Sequence, residues 1–483
     1  MEPGEKESDV HAAWRERAVT LEAIVAAQQK IIEEQHARIE ALQQNVVELE
    51  ARLNRNSRNS SRPPSSDPPS VPPRPPKPLT GRKPGGQPGH AGYTRELMPP
   101  EKVKRVVDVK PPECGKCGRP LRGSDADPLR HQVTELPPVM AQTDEWRLHA
   151  LACPCGHTTR AALPEGVPQG AFGPRLQATL GYLTGVARLT KRPIEDVVKD
   201  LFGVSVSLGA IVAQQQVVSE AVAPAVEEAR DYVQKQSIVN ADETGWKEGL
   251  KGGGERGRKK AWLWVAVTQW VTVFLIHASR GAVAAKALLG ECAGWLGSDR
   301  WCGYNAWEVK KRQICWAHLI RDFVGFTERG RQAASIGKAL LRQTEKMFEL
   351  WHRVRDRTWK RSTFQRSMGP IRRRVETLLR KGIRCGEPKT EGMCEMILKL
   401  APALWTFVRV EGVEPTNNAA ERAIRHAVLY RKGCFGTQSE AGSRFVERIL
   451  TVVATLRQQE RNILEYLTDA CSRAQAGRKP LSL

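Results

Sequence analysis

The sequence predicts a multidomain chain: an N-terminal coiled coil, a small β module organised by cysteines, a helical region, and an α/β core carrying a helical insertion. Three observations predict it. Apolar residues keep a seven-residue period from Trp14 to Leu53, cysteine pairs stand at 114/117 and 153/155, and residues 237–299 switch to short Val- and Trp-rich runs. At 483 residues the chain exceeds the roughly 250 to 300 residues at which a single hydrophobic core stops growing. With 40% hydrophobic and 27% charged residues, it is neither wholly disordered nor collagen-like.

The heptad segment, 1–53, places Ala18, Val25, Ile32, Ile39, Val46 and Leu53 at one seam position. Trp14, Leu21, Gln28, Gln35, Leu42 and Leu49 occupy the other. β-Branched residues at the first and Leu at the second favour a parallel dimer, with the two glutamines fixing register. The segment holds 6 basic and 11 acidic residues, a balance of −5, so it serves self-association rather than contact with a polyanion. A Pro-rich basic linker, 54–105, follows. Its first part, 54–92, has 11 prolines and a balance of +6, which suits a solvated tether able to lie along phosphates or a plain spacer.

Cys114-Gly-Lys-Cys117 and Cys153-Pro-Cys155 are each followed closely by a glycine and lie within 106–165. Four thiolates brought together this way suit a structural Zn²⁺, so the segment reads as a zinc-ribbon-like domain. The one-residue gap of the second pair leaves His157 as an alternative to Cys155. Residues 166–235 read as helices with a helix, Gly-containing turn and helix near 192–222, a helix-turn-helix-like region that serves DNA binding or plain bundle packing.

Ala261 to Ala278 is apolar enough to raise a membrane span, but Thr268, Gln269 and Thr272 interrupt it, and its Val and Trp content favours two buried strands. Together with a strand at 237–242, a helix near 281–290 and a strand ending at Asp299, this is the start of an α/β RNase H-like sheet. Asp242 closes the first strand and Asp299 the fourth, so the two carboxylates are neighbours, an arrangement suited to Mg²⁺ or Mn²⁺. Two such ions support in-line phosphoryl transfer. Glu421, on a helix started by Pro415 and capped by Thr416 or Asn417, supplies a third acid, with Asn417 and Arg425 on the same face to hold phosphate. Glu243 points to the opposite face from Asp242, Glu447 reads as a surface acid, and His318 as a satisfied structural histidine.

With 75 basic against 53 acidic residues, the charge is +22, which makes nucleic acid the leading partner. Eleven cysteines are too sparse for a disulfide scaffold, and MEPGEKESDV shows no basic segment followed by an apolar run. The expectation is a cytoplasmic protein without a membrane anchor.

The sequence resembles the large transposase of the insertion sequence 66 family of bacterial mobile elements. LNRNSRNSSRPPSSD at 53–67, GRKPGGQPGHAG at 81–92, the cysteine pairs, GPRLQATLGYL at 173–183, ADETGW at 241–246, CWAHLIRDF at 315–323 and NNAAERAIR at 417–425 carry the resemblance. It implies a DDE transposase with an RNase H-like catalytic core at 236–326 and 411–470, the acids falling on Asp242, Asp299 and Glu421. It also implies terminal inverted-repeat and target DNA as partners, accessory proteins of the same element, and a nucleoid-associated location. Arg300 stands where the family commonly has glycine. The 122 positions between the second and third acids require a helical insertion, 327–410, holding 20 basic and 8 acidic residues, including Arg372, Arg373 and Arg374. Arg422, Arg425, Arg431 and Lys432 cluster on and after the Glu421 helix as phosphate contacts. The rival readings are an RNase H-like nuclease without strand transfer and a catalytically inactive dimeric DNA-binding regulator.

Overall fold

The computed structural model describes residues 3–53, 95–249, 259–291 and 293–483. Most of the Pro-rich linker, residues 54–94, lies outside them. The heptad segment is one uninterrupted helix, α1 (Pro3–Leu53), as the absence of Gly and Pro between Gly4 and Leu53 permits. Its seam residues Leu21, Val25, Ile32, Ile39, Leu42, Val46 and Leu49 are all at least 50% exposed in the single chain.

Contacts divide the chain into two units, one comprising Met1–Val71, Glu165–Thr190 and Ala213–Leu483, the other Pro72–Pro164 and Lys191–Val212. The second unit holds a short hairpin, β1 (Ala150–Ala152) and β2 (Thr158–Arg160), and the helix α3 (Lys191–Phe202). Ile194, Val198 and Ile211 are fully buried in it, whereas Val109, Leu129, Val133 and Leu136 remain 81% or more exposed, so its apolar core is small. The region 166–235 is therefore not one body. Helix α2 (Pro174–Gly185) and most of α4 (Leu208–Gln234) belong to the larger unit, because Ala178, Val218, Val222 and Val226 pack into its core.

The larger unit is built on a five-stranded mixed sheet in the order β5-β4-β3-β6-β7. Strands β3 (Ile238–Glu248), β4 (Lys259–Val267) and β5 (Thr272–His277) form an antiparallel meander; β6 (Trp295–Ser298) and β7 (Arg312–Ile314) run parallel to β3. This mixed arrangement, with helices on both faces, is consistent with an RNase H-like transposase core. The apolar run at 261–278 is the β4–β5 hairpin, and among the described residues no helix is long and apolar enough to cross a membrane. Strand β7 carries no hydrophobic alternation in its three residues, which hid it from pattern reading.

Alternation along β4 supplies both faces of the sheet. Leu263 and Val265 enter a core with α2, α4, α12 (Asn418–Cys434), α13 (Glu440–Gln458) and α14 (Ile463–Gln475). Trp264 and Ala266 enter another with α5 (Ala282–Leu289), Tyr304 and Trp307. A third core closes the helices between β7 and α12: α6 (Trp316–Thr327), α7 (Arg331–Arg355), α8 (Arg361–Gly382), α9 (Pro388–Lys399), α10 (Ala401–Leu404) and α11 (Thr406–Arg409). Trp351, Phe364 and Phe407 meet there with ring centroids 5.6–6.0 Å apart.

The edge of the sheet is covered by α13. The N–H groups of Thr272, Phe274 and Ile276 donate to Thr455 Oγ1 (3.1 Å), Thr451 Oγ1 (3.0 Å) and Glu447 Oε2 (2.9 Å). Four helical residues rise about 6 Å and two strand residues about 6.7 Å, so i, i+4, i+8 side chains match alternate strand positions. This blunts an edge that would otherwise pair with another chain. Glu447 is thus a buried acid, 3% exposed and ion-paired to Arg444 at 2.9 Å, and not the surface carboxylate expected from its place on an apolar helix.

Candidate active site

Three elements converge at the middle of the sheet. Asp242 stands in mid-strand rather than at the strand end, because β3 continues through the polar Thr244 and Lys247 while paired with β4 as far as Glu248. Strand alternation sends it to the face opposite Glu243. Glu243 is buried, pairs with Arg280 at 3.0 Å and accepts the Tyr304 hydroxyl at 2.7 Å, so it braces the sheet against the loop after β6.

Asp299 follows β6 directly, the neighbour of β3. Its Oδ1 accepts the Trp301 N–H at 2.8 Å, and its carbonyl accepts the fully buried Arg312 guanidinium at 3.2 Å. Arg300 pairs with Asp322 on α6, giving that departure from the family pattern a structural role.

Glu421 lies in the first turn of α12. The helix starts after Asn417, whose side chain does not cap it and is not available to phosphate: the residue is 1% exposed, and its Nδ2 donates to the Ala241 carbonyl at 2.7 Å. That bond ties the start of the Glu421 helix to the residue before Asp242. Its backbone N–H meets Cys315 Sγ at 3.2 Å, and the Trp316 N–H meets the Pro415 carbonyl at 3.0 Å.

The electrostatics record the convergence. Asp242 is pushed well above the usual carboxylate range, first by burial, then by the charges of Glu243, Asp299 and Glu421. A group of mutually repelling, partly desolvated carboxylates is relieved by a hard cation, so the residues present fit oxygen-preferring Mg²⁺ or Mn²⁺. Loss of the Asn417 tether, in Asn417→Ala, leaves a buried carbonyl unpaired. It is expected to lower stability by about 1 to 2 kcal/mol and raise the Mg²⁺ concentration for half-maximal cleavage several-fold, measured by denaturant titration and cleavage assay.

Two further side chains enter the same place. His318 in α6 has Nδ1 3.5 Å from Glu421 Oε1, and this buried nitrogen has no hydrogen-bond partner, so it is not the satisfied structural histidine expected. Burial and the Arg321 charge lower its pKa, against the opposing charges of Asp299, Glu421 and Asp322. Cys315, at the start of α6, has Sγ 3.8 Å from Glu421 Oε1, and burial pushes its thiol up to about 11. The Cys-x-x-His spacing at 315–318 was the available signal for both.

Of the basic residues, Arg422, Arg425 and Lys432 are exposed on α12, and Arg372, Arg373 and Arg374 are exposed on α8, with Arg372 paired to Glu376 at 2.9 Å. Arg431 differs. Its guanidinium is spent on the Gly245 carbonyl and Thr244 Oγ1, which fastens α12 to β3 instead of facing solvent as a phosphate contact would.

The cysteine pairs form two tight turns in the smaller unit. Gly118 N–H donates to the Cys114 carbonyl (2.9 Å) and Gly156 N–H to the Cys153 carbonyl (2.8 Å), both glycines at positive φ. Backbone N–H groups lower Cys114, chiefly from Lys116, and Cys155, chiefly from His157, toward the thiolate. Neither the two cysteine pairs nor the set Asp242, Asp299 and Glu421 is drawn around one metal-sized point: among the described residues, the group with three ligand atoms in mutual metal reach is Cys315, His318 and Glu421.

Comparison with known proteins gives the family. Residues 169–444, more than half of the chain and all three acids, match the family described as Transposase IS66 family. Residues 6–96 match a family of unknown function, DUF6444. An uncharacterized protein, y4qI, of Sinorhizobium fredii (strain NBRC 101917 / NGR234) is 25% identical over 276 residues, covering 51% of this chain and 49% of that protein. The chain thus spans about half the length of the curated relative it matches. With the family match running over more than half of its length, the chain belongs to the IS66 family of transposases.

Proposed function

We propose that the chain cleaves DNA strands at the ends of a mobile element and transfers the resulting 3′-OH into target DNA, as a DDE transposase. What supports this reading is the family match over residues 169–444, together with the charges of Asp299 and Glu421, each from a different element, acting on the buried Asp242. The first step breaks a P–O3′ bond with water, leaving a 3′-OH and a 5′-phosphate. The second forms a bond from that 3′-oxygen to a target phosphorus and releases a target 3′-OH. Bound Mg²⁺ or Mn²⁺ would supply charge neutralisation to both steps. Asp242, Asp299 and Glu421 would hold it; Asn417, Arg312 and Arg431 keep the three elements in register; Arg422, Arg425 and Lys432 position the strand, and Arg372, Arg373 and Arg374 extend the basic surface.

The remaining parts fit the same activity. Zn²⁺ suits the pairs Cys114/Cys117 and Cys153/Cys155, in which backbone N–H groups lower Cys114 and Cys155, as a staple for a unit with little apolar core. None of the ten described cysteines is in a disulfide, in keeping with a reducing cytoplasm. The exposed seam of α1 pairs two copies in parallel. Ile32→Lys with Ile39→Lys is expected to convert a dimer to a monomer by light scattering; an unchanged mass would count against the coil.

The test supplies pre-cut element ends with a free 3′-OH, a supercoiled plasmid and Mg²⁺, with accessory proteins of the element present. Insertion of the ends supports the proposal. Cleavage of uncut ends without insertion would leave a nuclease, and binding without either reaction an inactive regulator.

A further inference from the structure

We propose that Cys315, His318 and Glu421 form a second metal site, for a zinc-class divalent ion, that shares Glu421 with the acid cluster. Their ligand atoms all lie within 4.8 Å of one another. Sγ stands 3.8 Å and Nδ1 3.5 Å from the same Glu421 Oε1. A tetrahedral Zn²⁺, with bonds of about 2.0 to 2.3 Å, spaces its ligands about 3.3 to 3.6 Å apart, so the two separations from Glu421 already lie within tenths of an ångström of that spacing, and Sγ and Nδ1 need close by at most roughly 1.5 Å.

The His318 nitrogen supports a ligand role independently, since buried polar atoms are ordinarily hydrogen-bonded and this one is not. The scaffold is fixed: the Cys315 N–H donates to the Ser298 carbonyl at 2.9 Å, and Cys315 Sγ receives the Asn417 N–H at 3.2 Å. The ion would replace the thiol proton that now faces Glu421. One thiolate, one imidazole and one carboxylate leave a fourth position open, and the soft donors select against Mg²⁺. Two classes of ion therefore compete for one carboxylate. The ligand set stands on this geometry alone; the consequence, that a zinc-class ion withdraws Glu421 from strand cleavage, rests on the proposed function.

Co²⁺ is the probe. The full-length chain, first given Zn²⁺ to fill the cysteine pairs of the smaller unit, is titrated with Co²⁺ and read by its thiolate charge-transfer and tetrahedral ligand-field bands. One further ion is expected to bind with these bands in the wild type. Cys315→Ser should abolish the charge-transfer band, and His318→Ala and Glu421→Gln should each weaken binding at least tenfold, with thermal melts confirming that each variant is folded. Bands that persist in Cys315→Ser, or an affinity unchanged in Glu421→Gln, would overturn the site. A wild type that shows the bands but never cleaves element ends in Mg²⁺ would sink the proposed function and leave the metal site standing.

Discussion

Asp242→Asn is expected to lower Mg²⁺-dependent cleavage and joining by a thousandfold or more, on the order of the loss seen when a preorganised charge partner is removed from a transition state. The amide keeps the shape of the carboxylate and the acceptor that now receives the Glu243 N–H at 2.9 Å, so the strand is not disturbed. What disappears is the negative charge that holds the cation. End binding, read by gel shift, is expected to stay within a few-fold of wild type, because the exposed arginines are untouched. The same substitution should raise the melting temperature measured without divalent metal: it removes a carboxylate disfavoured by burial and by the charges of Glu243, Asp299 and Glu421. Loss of activity joined to a gain in stability marks a site whose strain serves function. A variant both less active and less stable would instead make Asp242 a structural residue.

The second large effect is at Glu447. Glu447→Ala leaves the Ile276 N–H without its acceptor and the Arg444 guanidinium with the Ile276 carbonyl but no counter-charge, and is expected to cost about 3 kcal/mol in denaturant unfolding at neutral pH. The conservative Glu447→Gln keeps an acceptor for Ile276 and exposes the linkage to pH. Burial raises the Glu447 carboxyl from its ordinary 4.5 to about 6. The folded state therefore holds this proton more tightly than the unfolded state. Its contribution is fully present below about pH 4.5 and is lost as pH rises to about 6, a change of about 2 kcal/mol. Relative to Glu447→Gln, wild type should lose stability across that window; a flat difference would show that the Arg444 pair offsets burial.

Much of this architecture was legible in the residues because periodicity reports burial directly. The heptads gave a helix from Pro3 to Leu53, and the Val- and Trp-rich run gave the β4–β5 hairpin, since alternation and β-branching serve a pleated, buried surface. Two of the acids stand on the elements expected of them, Asp299 just after β6 and Glu421 on the first turn of α12, whereas Asp242 sits in mid-strand. What escaped were side chains whose role depends on partners remote in sequence. Glu447 resembles any acid on an amphipathic helix until the edge of β5 is laid against it, 171 residues away. Asn417 reads as a cap, yet its amide spans 176 residues to Ala241. Arg431 shows the same limit: a cation on a basic helix looks free until the strand it grips is in place. Local pattern identifies elements; long-range polar pairing assigns the individual residues.

The central claim is tested most directly by soaking Mn²⁺ into crystals of the chain bound to element-end DNA and locating the ions by anomalous scattering. Two peaks about 3.5 to 4 Å apart, ligated by Asp242, Asp299 and Glu421, are the predicted result. Mn²⁺ bound elsewhere, with the three carboxylates facing only protein and solvent while the scissile phosphate lies outside their reach, would contradict the account.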